Sequence, residues 1–188
     1  QKLINKIQYR DFSEHPKLGA ANYRLANHDP KTQVGIYSFC MCPGGYVLSS
    51  GTESDGVVCN GMSNFNRNSL FANAAIVVSV DFNKNFGQDP FDALNFRRDL
   101  EFRAHNEIIS QGGFKQLPVQ KATDFLLGRK TSTPLPGSCP SGILSVRLDK
   151  LLPSFISKKI QEGLEVFYRS MKGFSSEHAQ LYGVESRT

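Results

Sequence analysis

The stretch Tyr37-Ser38-Phe39-Cys40-Met41-Cys42-Pro43-Gly44-Gly45 constrains this chain more than any other. Through Cys42 it alternates and is rich in β-formers, which is the pattern of a strand. Pro-Gly-Gly then stops the strand and lets the backbone turn or approach another group closely. Period-2 alternation predicts Cys40 and Cys42 on one face and Met41 on the other. Two thiols beside a glycine turn suit the edge of a site. They also suit a core strand, because free Cys is among the most buried residue types.

Around this stretch the chain reads as one α+β domain over residues 1–188, with a mixed, mostly antiparallel sheet and helices packed on one face. Lys2 to Gln8 carries a short helical stripe. Strands are predicted at Tyr23 to Asn27, Val34 to Met41, Tyr46 to Ser50, Val57 to Asn60 and Ala74 to Val80, with a last one in Gln180 to Thr188. Val34 to Met41 and Tyr46 to Ser50 are expected to pair as a hairpin across Gly44-Gly45. The continuous apolar run Ala74 to Val80 is expected at the centre of the sheet. Asp89-Pro90 opens a helix that runs to Ser110 and ends at Gly112-Gly113. Pro118 to Leu127 reads as a short helix closed by Gly128. Arg129 to Gly142, with three Pro, reads as a surface connector. Leu148 to Leu152 is one helical turn, and the repeat Phe155, Ile156, Ile160, Leu164, Phe167, Met171 is a longer helix stopped by Gly173.

Between the strands, 60–73 is polar and rich in Asn, with Arg67 in its middle. Its amides and guanidinium would line a polar site or simply supply turn geometry. Lys plus Arg exceed Asp plus Glu by 22 to 17, yet the positive residues are scattered, so no nucleic-acid stripe emerges. Four Cys in a chain this long make no disulfide scaffold and lack paired zinc-ligand spacing, so no metal is expected and reduced thiols in the cytoplasm are the simpler reading. No apolar run reaches the ~18 residues of a membrane span. Phosphate-binding glycine loops and nucleophile elbows are missing.

Four motifs carry a resemblance. Phe39-Cys40-Met41-Cys42-Pro43-Gly44-Gly45, Asn60-Gly61-Met62-Ser63, Asp124-Phe125-Leu126-Leu127-Gly128-Arg129 and Gly183-Val184-Glu185-Ser186-Arg187-Thr188 occur in this order. With Gln8-Tyr9, His15 to Ala21 and Asn73-Ala74-Ala75 they cover essentially the whole chain. The sequence resembles the uncharacterised bacterial FAD-dependent dehydrogenases, which are related to two-domain flavoprotein oxidoreductases. It departs from their usual pattern at Cys59 and Cys139.

The resemblance implies a substrate-side domain inserted between the two halves of an FAD-binding Rossmann domain of the same polypeptide, with its own ends close together. FAD would be bound mainly by that other part, and the isolated domain would be inactive. Cys40 and Cys42 become the candidate catalytic residues. Gly44, Asn60, Gly61, Ser63 and Arg67 become substrate contacts, and Glu185 and Arg187 become cofactor contacts, with an ordinary strand-edge ion pair as the other reading of these two. The partners implied are the FAD-binding domain and a small-molecule substrate, with no nucleic acid and no membrane. Two other readings stand beside this one: a non-catalytic interaction module, and a thiol-redox domain using Cys40 and Cys42.

Overall fold

The helical repeat of the last third becomes the support for the first sheet. The computed structural model describes residues 2–186 apart from 52, 88 and 90. In order it contains α1 (Lys2–Tyr9), a 3-10 turn at Arg10–Phe12, β1 (Ala26–His28), β2 (Gly35–Cys42), β3 (Gly45–Ser49), β4 (Cys59–Ser63) and β5 (Asn73–Val78). Then come α2 (Phe82–Asn85), α3 (Asp92–Ser110), β6 (Leu117–Lys121), α4 (Ala122–Leu126), β7 (Ile143–Ser145), α5 (Leu148–Leu151), α6 (Ser154–Ser170) and β8 (Gln180–Tyr182). This is the expected α+β class. The expected helix opener Pro90 lies outside the described residues.

The strands form three small sheets: β1-β2-β5, β3-β4, and β7-β6-β8. All pairings are antiparallel except β6 with β7. Three local expectations change. First, β2 does not fold back on β3. Its register on β5 shifts between Phe39 and Cys42, Cys40 takes a left-handed φ of 48°, and the bent strand end sends β3 off to pair with β4. Second, β5 is an edge strand and β2 the central one. Third, Pro118 lies inside a strand, not at a helix start. Its neighbours Leu117 and Val119 are fully buried, and β8 and β7 flank it. The helix begins only at Ala122 and closes at Gly128, φ 61°. The closing strand joins β6, although Cys59 N–H donates to Val184 O at 2.9 Å and ties the chain's last turn to β4.

Two apolar cores hold these sheets. Leu100, Ala104 and Ile108 of α3 meet Val47, Val57, Cys59, Leu117, Val146 and Val184 in one. Ile156, Ile160, Leu164 and Phe167 of α6 meet Leu25, Ile36, Phe125 and Leu148 in the other, and Phe96 and Leu152 touch both. The broad apolar face expected on α3 is only partly used, since Leu94, Phe102 and Ile109 stay exposed. On α6, Gly163 is what lets the helix approach β2: a Cβ there would sit 2.4 Å from Cδ1 and 2.8 Å from Cγ2 of the buried Ile36.

A buried polar network braces the β6 side. Gln120, wholly buried, donates from Nε2 to Arg129 O at 2.9 Å and to Asp149 Oδ1 at 2.8 Å, and its Oε1 accepts from Asp149 N–H at 3.1 Å. Arg147 Nε donates to Asp149 Oδ1 at 2.7 Å, and its Nη2 pairs with Oδ2. Arg129 Nε donates to Asp124 Oδ1 at 2.5 Å, and Thr131 Oγ1 to Asp124 Oδ2 at 2.8 Å. Burial pushes both carboxyls up, but hydrogen bonds from Arg147 and Gln120 to Asp149, and from Arg129 and Thr131 to Asp124, outweigh it and hold both below the ordinary value.

Two outcomes are expected. Gly163→Ala should lower stability by about 1–2 kcal/mol in denaturant titrations, overpacking exceeding the gain in helix propensity, and the penalty should shrink in an Ile36→Val background. Asp149 has a depressed folded pKa, so its stabilisation is present above the unfolded value of 3.8 and lost as pH falls through the folded value. Asp149→Asn should therefore cost about 1–3 kcal/mol at neutral pH, and the gap to the natural chain should close in acid, read by circular dichroism.

Candidate functional site

The bend after β2 gathers several of the sequence-predicted residues. Cys40 is exposed and left-handed, while Cys42 is half-buried, its Sγ–H aimed at Cys40 O at 3.7 Å. The register shift and the left-handed Cys40 interrupt the regular strand geometry between the two. When ionised, both thiols add a small upward push to the pKa of the Tyr23 hydroxyl. That hydroxyl pairs with Ser38 Oγ at 3.1 Å, and burial is the main reason its pKa is raised.

Glycines make the corner possible. At Gly44 a Cβ would meet Arg67 O at 2.6 Å, at Gly45 Met62 O at 1.9 Å, and at Gly61 Asn73 Oδ1 at 2.2 Å. The room a side chain would need is filled by the chain's own backbone and by Asn73. Gly45 N–H donates to Phe71 O at 2.9 Å, Ser69 Oγ to Gly45 O at 2.8 Å, and Asn73 Nδ2 to Tyr46 O at 3.5 Å. Arg67, exposed, is also left-handed at φ 49°. Non-glycine residues with positive φ are uncommon, and they gather at functional sites.

Cys42, Gly44, Ser63 and Arg67 thus meet at one end of the β3-β4 ribbon, where Gly45 pairs with Ser63. Asn60 pairs with Leu48 and shares a strand face with Met62, opposite the face of Gly61 and Ser63. Glu185 is elsewhere. It follows Val184, which is bonded to Cys59 at the far end of β4, about 13 Å along the strand from Ser63. Burial raises the Glu185 carboxyl pKa. Burial and then the Glu185 charge push the Cys59 thiol up to about 12. Arg187 lies outside the described residues.

Sequence reading did not single out the role of Asn73 as an amide clamp, nor the apolar residues of the Asn-rich loop. Phe65 is 100% exposed and Leu70 94%. Large apolar side chains inside so polar a stretch were the available signal.

The corner does not fit the pyrophosphate of a dinucleotide. The Gly45 N–H is already bonded, and the space at Gly44 is taken by Arg67 and Asn68. The β6-to-α4 junction, with no glycine, places the Asp124 carboxylate in the first helical turn. Among the described residues no group of three or more His, Cys, Asp or Glu could hold a metal ion, and no helix is long and apolar enough to cross a membrane.

Exposure orders the thiols chemically, since the thiolate reacts only where reagent reaches it. Alkylation of the folded protein at pH about 8, mapped by mass spectrometry, should modify Cys40 first and Cys59 last, by about 100-fold or more. Equal labelling of Cys59 would contradict its placement in the core.

The family described as "FAD-dependent protein, C-terminal domain-like" matches residues 1–188. A protein of Clostridium beijerinckii, titled "Uncharacterized protein", is 39% identical over 194 residues, covering 100% of this chain and 35% of the relative. The chain spans about a third of that relative's length. Matched from end to end, it belongs to the FAD-dependent protein, C-terminal domain-like family.

Proposed function

We propose that this domain forms the substrate side of the active site of an FAD-dependent oxidoreductase, a dehydrogenase, whose flavin is held by the rest of the polypeptide. The observation that carries the reading is the corner at Cys40, Cys42, Gly44, Ser63 and Arg67: two left-handed residues and an exposed guanidinium, fixed by close glycine packing. Membership of an FAD-dependent family supports FAD as the cofactor. The flavin would carry the hydride chemistry, and the protein would bind and orient.

In this reading Arg67 takes a carboxylate or phosphate group of the substrate, for which a planar guanidinium is suited. Ser63 and the backbone at Gly44 and Gly61 line the same edge, and Cys40 and Cys42 lie nearest the reacting centre. Asn60, on the other strand face, contacts substrate only at the ribbon's rim. Glu185, at the far end of the ribbon, serves a different part of an extended cofactor, and Arg187 is assigned to the cofactor with it. The domain stands between two halves of the FAD-binding domain, in a protein found in the cytoplasm. The exposed Cys40 beside Cys42 also favours a second reading, thiol-disulfide exchange at this pair.

The test uses the complete polypeptide. It should purify yellow, and its flavin should bleach with one of a panel of carboxylate- or phosphate-bearing reductants. Arg67→Ala should leave flavin content unchanged and cut kcat/KM for that substrate by about tenfold or more. Cys40→Ser with Cys42→Ser should then separate the two readings, since only thiol exchange requires both sulfurs. A colourless polypeptide that takes up no flavin would overturn the proposal.

A further inference from the structure

We propose that the 64–71 loop and the outer face of β3-β4 form the seat on which the FAD-binding remainder of the same polypeptide docks. This rests on the preceding reading that such a part exists. Five apolar side chains of this loop and ribbon are exposed: Phe65 at 100%, Leu70 at 94%, Met62 at 51%, Tyr46 at 41% and Phe71 at 37%. Tyr46 and Met62 are direct cross-strand partners, so they present one continuous face. A domain standing alone rarely shows solvent an apolar patch of this kind.

The loop is not loose chain that happens to expose its side chains. Gly45 N–H holds Phe71 O at 2.9 Å, Ser69 Oγ holds Gly45 O at 2.8 Å, and Arg67 N–H holds Asn64 O at 3.1 Å. Gly44 lies flush against the Arg67–Asn68 backbone. The framework fixes the backbone around Phe65 and Leu70, whose side chains are exposed, as a preorganised contact requires.

Length chooses the occupant. This chain accounts for 35% of its relative, so most of such a polypeptide lies outside the structure and is tethered to it. A tethered partner meets the seat at high effective concentration, which a separate molecule does not. A second copy is the poorer fit. The loop holds Arg67 and no carboxylate, so a twofold contact would set Arg67 against its own image. With Phe65 and Leu70 covered, Arg67 falls on the border between the two parts, where a substrate bound between them would reach it.

Hydroxyl-radical footprinting of the complete polypeptide, native and in denaturant, tests the proposal with mass-spectrometric readout at Phe65, Leu70 and Met62. Docking predicts that Phe65 and Leu70 react about fivefold or more slowly in the native protein, independent of protein concentration. Native rates equal to the denatured ones would overturn it. So would protection that disappears on dilution, which would identify a second copy. Flavin absorbance of the same sample separates the two ideas. A yellow protein with a reactive loop refutes the docking seat alone, and a colourless protein with a protected loop upholds docking while refuting the flavin reading.

Discussion

The close approach of backbone to backbone at Gly44 and Gly45 is the contact on which the candidate site depends. With no Cβ at either position, the turn after β2 lies directly on Arg67 and Met62. Any larger residue would collide with main-chain atoms that cannot swing aside as a side-chain end can. From this contact follow the bend of β2, the departure of β3 to its own partner, and the pinned loop that carries Arg67. Sequence writes the constraint as Pro-Gly-Gly, and geometry turns it into a corner.

The rest of the molecule supplies rigidity. The α6 stripe and α3 each fill a core, and the two cores share Phe96 and Leu152. Beneath β6, the paired carboxylates of Asp124 and Asp149 are fully hydrogen-bonded, a condition that burial demands of polar groups. The closing segment returns through Val184 to β4, and Ser186 Oγ donates to the buried Glu101 Oε1 at 2.6 Å. The strained corner is therefore carried by a well-braced body, which is how left-handed residues such as Cys40 and Arg67 persist.

Helices were the legible part of the sequence, because their signal is local. The repeat from Ile156 to Phe167 and the stops at Gly112, Gly128 and Gly173, all with positive φ, could be read directly. Strand partners could not, because pairing joins residues far apart and one extra residue in β2 changes the register. Pro118 misled because its fixed φ suits a helix start and Pro is rare in a central strand, a preference overridden here by the buried neighbours Leu117 and Val119 and by β7 and β8 on either side. At the site, the glycines and Arg67 stood out as residue types. Their packing against one another, and the distance of Glu185 from them, are properties of the fold.

The most direct measurement is an experimental structure of the complete polypeptide with its cofactor. The corner of Cys40, Cys42 and Arg67 should face the flavin ring across a substrate-sized gap, with Phe65 and Leu70 in contact, within about 4.5 Å, with the cofactor-binding part. A flavin bound with that corner turned away into solvent would contradict it.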